Sequence, residues 1–226
     1  MHILERFERW LHPYRFAFEE EDLKEVVVKN KRKKQKFKGT IKGSMSKAQL
    51  ANKYDVLSRG DIGIDLVTVQ KAMNDTQALK LLDRSGFNIG YFHHDTNKHQ
   101  LACKFDKNSA WLYHERNESK RKRLKPLVYH ADSKHQDKTH MIPIGFHGSE
   151  NDERLLVGFS SAINKGDLKN FEKYIININA SEPVLWYISI EKQTDNTAIW
   201  KAIVWDENHN IIAKESFHDK NKFVWI

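Results

Sequence analysis

The sequence predicts an α+β protein with a mixed or antiparallel sheet and packed helices, on three observations. Beyond residue 86, short segments rich in β-branched and aromatic residues follow one another and predict strands: FNIGYFHHD, LACKF, AWLYH and LVYHA. The segments VLWYISIEK and TAIWKAIVWDENHNIIAKESF predict three more, with residues 206–210 as the turn between the last two. Between these groups, residues 164–178 place Leu168, Phe171, Tyr174, Ile175 and Ile178 three or four apart, which predicts a helix that ends before Pro183.

The first 80 residues predict a different organisation. A helix is predicted over residues 4–11, with Pro13 as its end, and a strand around 26–28. Further helices are predicted from Lys47 to about Tyr54 and from about Leu66 to Leu82, and Gly39 and Gly43 indicate a turn or linker. We therefore expect residues 1–80 to form a helical accessory region with a basic loop at 29–38, and residues 81–226 to form the main domain.

Composition restricts the class of protein. The chain has 226 residues, 39% of them hydrophobic and 11% aromatic, which is enough to bury a core. It contains no apolar run of the length that a membrane span needs and no apolar leader at its N-terminus, so a cytoplasmic protein without a membrane partner is expected. The single Cys103 excludes an intrachain disulfide and a multi-cysteine zinc site, and it is interpreted as a small buried hydrophobe.

The basic charge is concentrated in two runs, KNKRKKQKFK at 29–38 and KRKRLK at 120–125. With a net charge of +8, two such runs favour contacts with nucleic-acid phosphates over the alternative of solvated surface loops. The nucleic-acid-binding residues predicted from these runs are Lys31, Arg32, Lys33, Lys34, Lys120, Arg121 and Arg123.

Three polar residues suit phosphodiester chemistry. His140 can act as a general base near neutral pH, and the amide of Asn164 and the carboxylate of Glu172 supply the oxygen atoms that Mg²⁺ prefers. On one continuous helix, residues eight apart differ by about 80° in direction, so Asn164 and Glu172 would share a side. Taken singly, each has a plainer interpretation: a packed histidine, a helix N-cap and a solvated glutamate.

The segment Asp137–Glu172 resembles the active-site segment of the DNA/RNA non-specific endonucleases, the ββα-metal nucleases related to the Serratia nuclease and the streptococcal DNA-entry nucleases. Asp137 and His140 match the ends of the family's Asp-Arg-Gly-His signature, and Gly148 with Asn151-Asp152 resembles its loop. The helix matches in register at Asn164, Gly166, Leu168, Phe171 and Glu172. Lys138 and Thr139 stand where the family has Arg and Gly.

The resemblance implies a ββα-metal core and a role for each matching residue. His140 would deprotonate the attacking water, Asn164 would bind Mg²⁺ or Mn²⁺, and Glu172 would bind the metal or orient one of its waters. Lys138 would supply positive charge. Arg116 is our first choice, ahead of Arg121 and Arg123, for the cation that meets the phosphate in the transition state.

The predicted function is therefore Mg²⁺-dependent, largely sequence-independent cleavage of DNA, with RNA as a further substrate, in a setting such as defence, an interbacterial toxin or a mobile element. Two alternatives remain: a nucleic-acid-binding protein that keeps the fold without catalysis, and a toxin-type module bound by an inhibitor or immunity protein. The histidines at 93, 94 and 99 are interpreted as strand and turn residues, because their spacing matches no zinc pattern.

Overall fold

The computed structural model describes residues 64–111, 123–143, 146 and 152–226, and the backbone of two strands further upstream. These two strands, β1 (Lys24–Lys29) and β2 (Lys36–Ile41), pair antiparallel. The strand predicted around residues 26–28 is thus confirmed. The prediction of a turn at Gly39 is wrong, because Gly39 lies inside β2 opposite Val26. The described parts of the predicted basic loop, Lys29 and residues 36–38, are also strand, in β1 and β2. The predicted helices at 4–11 and 47–54, and Gly43, lie outside the described residues.

Most of the described chain is organised around a six-stranded sheet in the order β11-β10-β9-β5-β4-β3. Only β3 and β4 run parallel; the other neighbours are antiparallel. The strands are β3 (Asp65–Thr68), β4 (Ile89–His94), β5 (Lys98–Phe105), β9 (Val184–Lys192), β10 (Ala198–Trp205) and β11 (Ile211–Asp219). The central strand β9 is buried along most of its length, which explains its continuous apolar sequence.

A second, four-stranded sheet has the order β12-β6-β8-β7. Its strands are β6 (Val128–His130), β7 (Gln136–His140), β8 (Leu156–Ser160) and β12 (Phe223–Trp225). The pair β6–β8 is parallel, and the pairs β12–β6 and β7–β8 are antiparallel. Both sheets are mixed, so the predicted α+β class is confirmed. Of these four strands, only β6 was predicted; β7, β8 and β12 were not.

Helix α1 (Asp75–Asp83) begins with a reciprocal capping box, in which Asn74 and Gln77 each accept from the other's backbone N–H. The predicted helix at 66–82 is correct only in its second half, because Leu66 lies in β3 and pairs with Gly90. β3 precedes residue 81 and α1 crosses it, yet β3 is a strand of the large sheet and α1 packs on that sheet. The division of the chain at residue 80 stays a prediction.

The helix predicted at 164–178 is divided in two. Helix α2 (Ser161–Lys165) ends at Gly166, whose backbone angles of φ −102° and ψ −106° are not helical, and α3 (Asp167–Asn179) follows. A Cβ at Gly166 would lie 2.9 Å from the carbonyl oxygen of Ala162, which favours glycine at the break. The predicted strand AWLYH is also wrong where it is described, since Ser109–Trp111 is a 3-10 turn.

The main core lies where the two sheets and α3 meet. Its largest fully buried side chains include Trp186, Trp200, Phe105, Phe146 and Phe159. A smaller core, with Ala78, Leu82 and Leu185 among its members, packs α1 on the opposite face of the large sheet. Cys103 is buried in the main core, as predicted. Among the described helices, none is long and apolar enough to cross a membrane.

Candidate functional site

The candidate site lies at the end of the β7–β8 pair where β7 begins and β8 leads into α2. The ladder pairs Asp137 with Phe159 and His140 with Leu156, which fixes the register of both strands. Gly158 stands opposite Lys138, and a Cβ there would come within 2.7 Å of the Cβ of Tyr129. The close approach of β6 therefore favours glycine at position 158.

Asp137 brings together three side chains that follow β8. The Nδ2 atom of Asn164 donates to Oδ2 of Asp137 at 3.1 Å. The ammonium of Lys165 lies 3.2 Å from the same oxygen, and the Ser161 side chain also hydrogen-bonds to Asp137. We call Asp137, Ser161, Asn164 and Lys165 the Asp137 cluster. Asn164 and Lys165 are 27 and 28 residues from Asp137, so the cluster exists only because the two strands pair.

The Asp137 carboxylate is held in its charged form. Burial raises its pKa, but the hydrogen bonds from Ser161 and Asn164 and the charge of Lys165 together outweigh burial and place the pKa below its usual value. Because Nδ2 of Asn164 is bound to this carboxylate, its Oδ1 is directed elsewhere. Within the described part of the chain, no hydrogen bond to Oδ1 is found.

His140 occupies the far end of β7 and is 8% exposed. Three residues of strand separate the Cα atoms of Asp137 and His140 by about 10 Å. Side chains alternate along a strand, so Asp137 and Thr139 share the face of the core residues Val157 and Phe159, while His140 shares the opposite face with Lys138. β7 therefore does not bring His140 to the Asp137 cluster. Thr139, which stands where the resembled family has glycine, lies in regular strand without a positive φ.

Glu172 lies in α3, buried at 5% exposure, beside Phe171. The ring of Phe171 packs edge-on against Trp186 and Phe217, which holds this turn of α3 on the large sheet. The expectation that Asn164 and Glu172 share one side of a continuous helix is wrong, because the break at Gly166 separates them.

Lys138 is engaged with the backbone. Its Nζ donates to the carbonyl oxygen of Leu124 at 2.7 Å, which ties β7 to the end of the second basic run. Arg123 in that run is exposed. The other predicted phosphate-contacting residues lie outside the described residues: Arg116, Lys31, Arg32, Lys33, Lys34, Lys120 and Arg121.

Sequence reasoning missed two features of this region. Lys165, with its side chain 68% exposed, places a cation beside Asn164. The second feature is a buried pair, in which Nε2 of His130 lies 2.7 Å from Oδ2 of Asp219 with both side chains 1% exposed. Asp219 also accepts the backbone N–H of Ser160, the residue before Ser161. Position next to Asn164 could have indicated Lys165, but no sequence signal links His130 to a residue 89 positions away.

The histidines at 93, 94 and 99 lie in strands β4 and β5, as their interpretation as strand and turn residues predicts. His99 is fully buried, with Nδ1 3.0 Å from Nδ1 of His94 and Nε2 3.0 Å from the carbonyl oxygen of Arg154. Burial, with the nearby charge of His94, lowers the pKa of His99 to about 3. Both ring nitrogens of His99 therefore have protein partners.

The residues of the Asp137 cluster fit a hard cation better than a soft one. Among the described residues, no group of three or more His, Cys, Asp or Glu side chains could hold a metal. An amide oxygen and a carboxylate are oxygen donors of the kind that Mg²⁺ binds, and Mg²⁺ retains several waters where the protein supplies few ligands. The donor set thus suits Mg²⁺ or Mn²⁺ rather than zinc.

Comparisons of this chain with protein-family models, with curated proteins and with solved structures return no match.

Proposed function

We propose that the protein is a Mg²⁺-dependent endonuclease that cleaves DNA, and RNA as a further substrate, with little sequence preference. The observation that carries the proposal is the Asp137 cluster: a charged carboxylate holds the Asn164 amide and the Lys165 ammonium at the junction of β7, β8 and α2. The order strand, strand, helix is that of the ββα-metal core which the sequence resemblance implies.

In this proposal each side chain has a separate task. Asp137 orients Asn164, whose Oδ1 would hold the metal ion, and Glu172 would hold or orient a metal-bound water. The bound Mg²⁺ would stabilise the negative charge that develops on the phosphate. Lys165 would meet a phosphate oxygen, because a surface ion pair as open as that with Asp137 is weak enough to exchange partners. His140 would deprotonate the attacking water.

One observation favours a second function, the binding of nucleic acid without cleavage. His140 and the Asp137 cluster are about 10 Å apart along β7 and on opposite faces, whereas a general base must reach the water that the metal site positions. A protein that binds phosphates without cutting them needs no such approach. In that case the basic runs and Lys165 would carry the affinity.

Plasmid cleavage distinguishes the two functions. Purified protein would be incubated with supercoiled plasmid in Mg²⁺, in Mn²⁺ and in EDTA, beside His140→Ala, Asn164→Ala and the control His135→Ala, whose side chain is exposed in the preceding turn. We expect metal-dependent nicking that His140→Ala lowers about 100-fold or more, the contribution typical of a general base. Asn164→Ala should also lower it strongly, because the metal ion would lose its amide ligand. The control should cut as wild type does.

Binding of the same plasmid is measured in parallel as a function of salt. If His140→Ala and Asn164→Ala bind as wild type does but do not cut, the nuclease proposal is supported. If neither the wild type nor any variant cuts in either metal, while plasmid binding weakens as salt rises, the binding function replaces the nuclease proposal. Cleavage that survives both substitutions would contradict the proposed site.

A further inference from the structure

The edge strand β11 has a groove on each of its faces. In the described sheet β11 pairs only with β10, so its other edge has no neighbouring strand there. Lys214, Glu215 and Ser216, at the middle of the strand, are exposed. An exposed strand edge presents backbone N–H and C=O groups that can pair with another strand.

The inner groove, of about 520 Å³, lies between α3 and β11. Its α3 wall includes Asp167, Phe171 and Tyr174, which are spaced four and three residues apart and therefore share one side of the helix. Its β11 wall includes Glu215 and Phe217, which lie opposite Ala202 and Trp200 of the core face. Tyr174 is 51% exposed, so its ring is open to a ligand.

The outer groove, of about 320 Å³, lies on the other face of β11, next to the start of α1. Lys214 and Ser216 line it. The charges of its lining are balanced: Lys214 lies 3.4 Å from Asp75 and Lys201 lies 2.7 Å from Glu191, and one further residue of each sign, Lys98 and Glu215, also lines it. This groove therefore suits a small polar side chain rather than a charged one.

The inner groove differs in its charge. Asp167, Lys214 and Glu215 line it. The ammonium of Lys214 lies 3.4 Å from Asp75, whereas neither Asp167 nor Glu215 has an ion pair within the described part of the chain. Two unpaired carboxylates beside the rings of Tyr174 and Phe171 suit arginine, whose planar guanidinium stacks on aromatic rings while it pairs with carboxylates. The same acidic charge repels nucleic-acid phosphates, although the protein as a whole carries a net charge of +8.

We propose that β11 binds an extended peptide segment of a partner protein, which adds a strand to the large sheet and places arginine side chains in the inner groove. Alternate residues of an added strand point to opposite faces, so arginines would occupy the inner groove and small polar residues the outer one. Backbone hydrogen bonds to β11 would supply affinity, and the carboxylates would supply specificity.

Two of the registers in which a second copy of the chain could pair with this edge are unfavourable. Twofold antiparallel pairing places residues of the same face opposite each other, so a pair centred on position 214 or 215 would oppose Lys214 to Lys214 or Glu215 to Glu215. Like charges that face each other directly across two strands are destabilising. Such a dimer is an outcome of the test rather than the proposal.

The test measures binding of a fluorescent octapeptide of alternating threonine and arginine, (Thr-Arg)₄, to the full chain by anisotropy. We expect the variant with both Asp167→Asn and Glu215→Gln to bind at least ten-fold more weakly. The matched control carries Asp65→Asn and Glu207→Gln, two exposed acidic residues away from the groove, and should bind as wild type does. The counterpart (Thr-Glu)₄ should not bind.

Two N-methylated peptides separate strand addition from simple charge attraction. Methylation of every threonine nitrogen blocks one edge of the peptide strand, and methylation of every arginine nitrogen blocks the other, so only one peptide should still bind. In hydrogen exchange, the bound peptide should protect amides of residues 212–217. Equal binding of both methylated peptides, equal binding to the double variant, or a dimer that the double variant disrupts would each overturn the proposal.

Discussion

Two aspartates at the same end of the small sheet are used in opposite ways. Ser160 and Ser161 are consecutive, yet the backbone N–H of Ser160 is bound by Asp219 and the side chain of Ser161 hydrogen-bonds to Asp137. Asp219 is sealed with His130 inside the protein, whereas Asp137 is partly open and pairs with an exposed lysine. The sealed pair can hold strands together but cannot reach a substrate. The ion pair of the Asp137 cluster is partly exposed, so it adds little to stability but can be reached by a substrate.

The largest effect that this comparison predicts is on stability. Asp219→Ala leaves the buried imidazole of His130 and the N–H of Ser160 without their acceptor, which should lower the free energy of unfolding by about 3 kcal/mol or more. Urea denaturation of purified protein measures this. Glu207→Ala, in the exposed turn before β11, is the control and should change the free energy of unfolding little. A midpoint for Asp219→Ala equal to that of the control would mean that the buried pair contributes no stability.

Asp137→Asn should show the converse pattern, with a small change in stability and a larger change in activity. The substitution removes the charge that holds Lys165 and weakens the hold on Asn164, so we expect cleavage to fall about 10- to 100-fold, the range typical of residues that orient metal ligands. The free energy of unfolding should fall by about 1 kcal/mol or less, because the ion pair is exposed. Asp132→Asn, in the neighbouring turn, is the control for both measurements. An Asp137→Asn variant that cuts at the wild-type rate would contradict the claim that Asp137, unlike Asp219, serves activity.

The prediction whose effect is smallest near neutral pH concerns His99. His99 is buried, and its pKa in the folded state is lowered to about 3, while an unfolded histidine titrates near 6.5. Between these values the unfolded chain binds a proton that the folded protein does not, so stability is present above pH 6.5 and is lost as the pH falls toward 3. The slope approaches about 1.4 kcal/mol per pH unit.

Urea denaturation at pH 7, 6, 5 and 4 should therefore show a shallower decline for His99→Gln than for wild type. His135→Gln, at an exposed histidine, should retain the wild-type decline. Parallel pH profiles for wild type and His99→Gln would show that another group controls the acid sensitivity.

The α+β class and most strands of the large sheet could be predicted from sequence, because β4, β5, β9, β10 and β11 are marked by apolar and aromatic runs. The correct start of the helix predicted at 66–82 could not be predicted from the sequence. The spacing from Leu66 onward is compatible with one helix, and only the pairing of β3 with β4 makes Leu66 a strand residue. The break at Gly166 also depends on close backbone contact, which spacing does not reveal.

The candidate site was predicted in part. Asp137, His140, Asn164 and Glu172 could be selected by residue type and by resemblance. The contact of Asp137 with Asn164 required the strand register, since 27 residues separate them. The opposite directions of His140 and Asp137 follow from their spacing only once residues 136–140 are known to form a strand, which the sequence analysis did not predict.

The most direct test of the account is where a metal ion binds. Titration of isotope-labelled protein with Mn²⁺, followed by NMR, should broaden the side-chain amide signal of Asn164 and the backbone signals around Asp137 first. Asn164→Ala should abolish this selective broadening, and excess Mg²⁺ should reverse it. Broadening that begins elsewhere in the chain, or that Asn164→Ala leaves unchanged, would contradict a metal site at the Asp137 cluster.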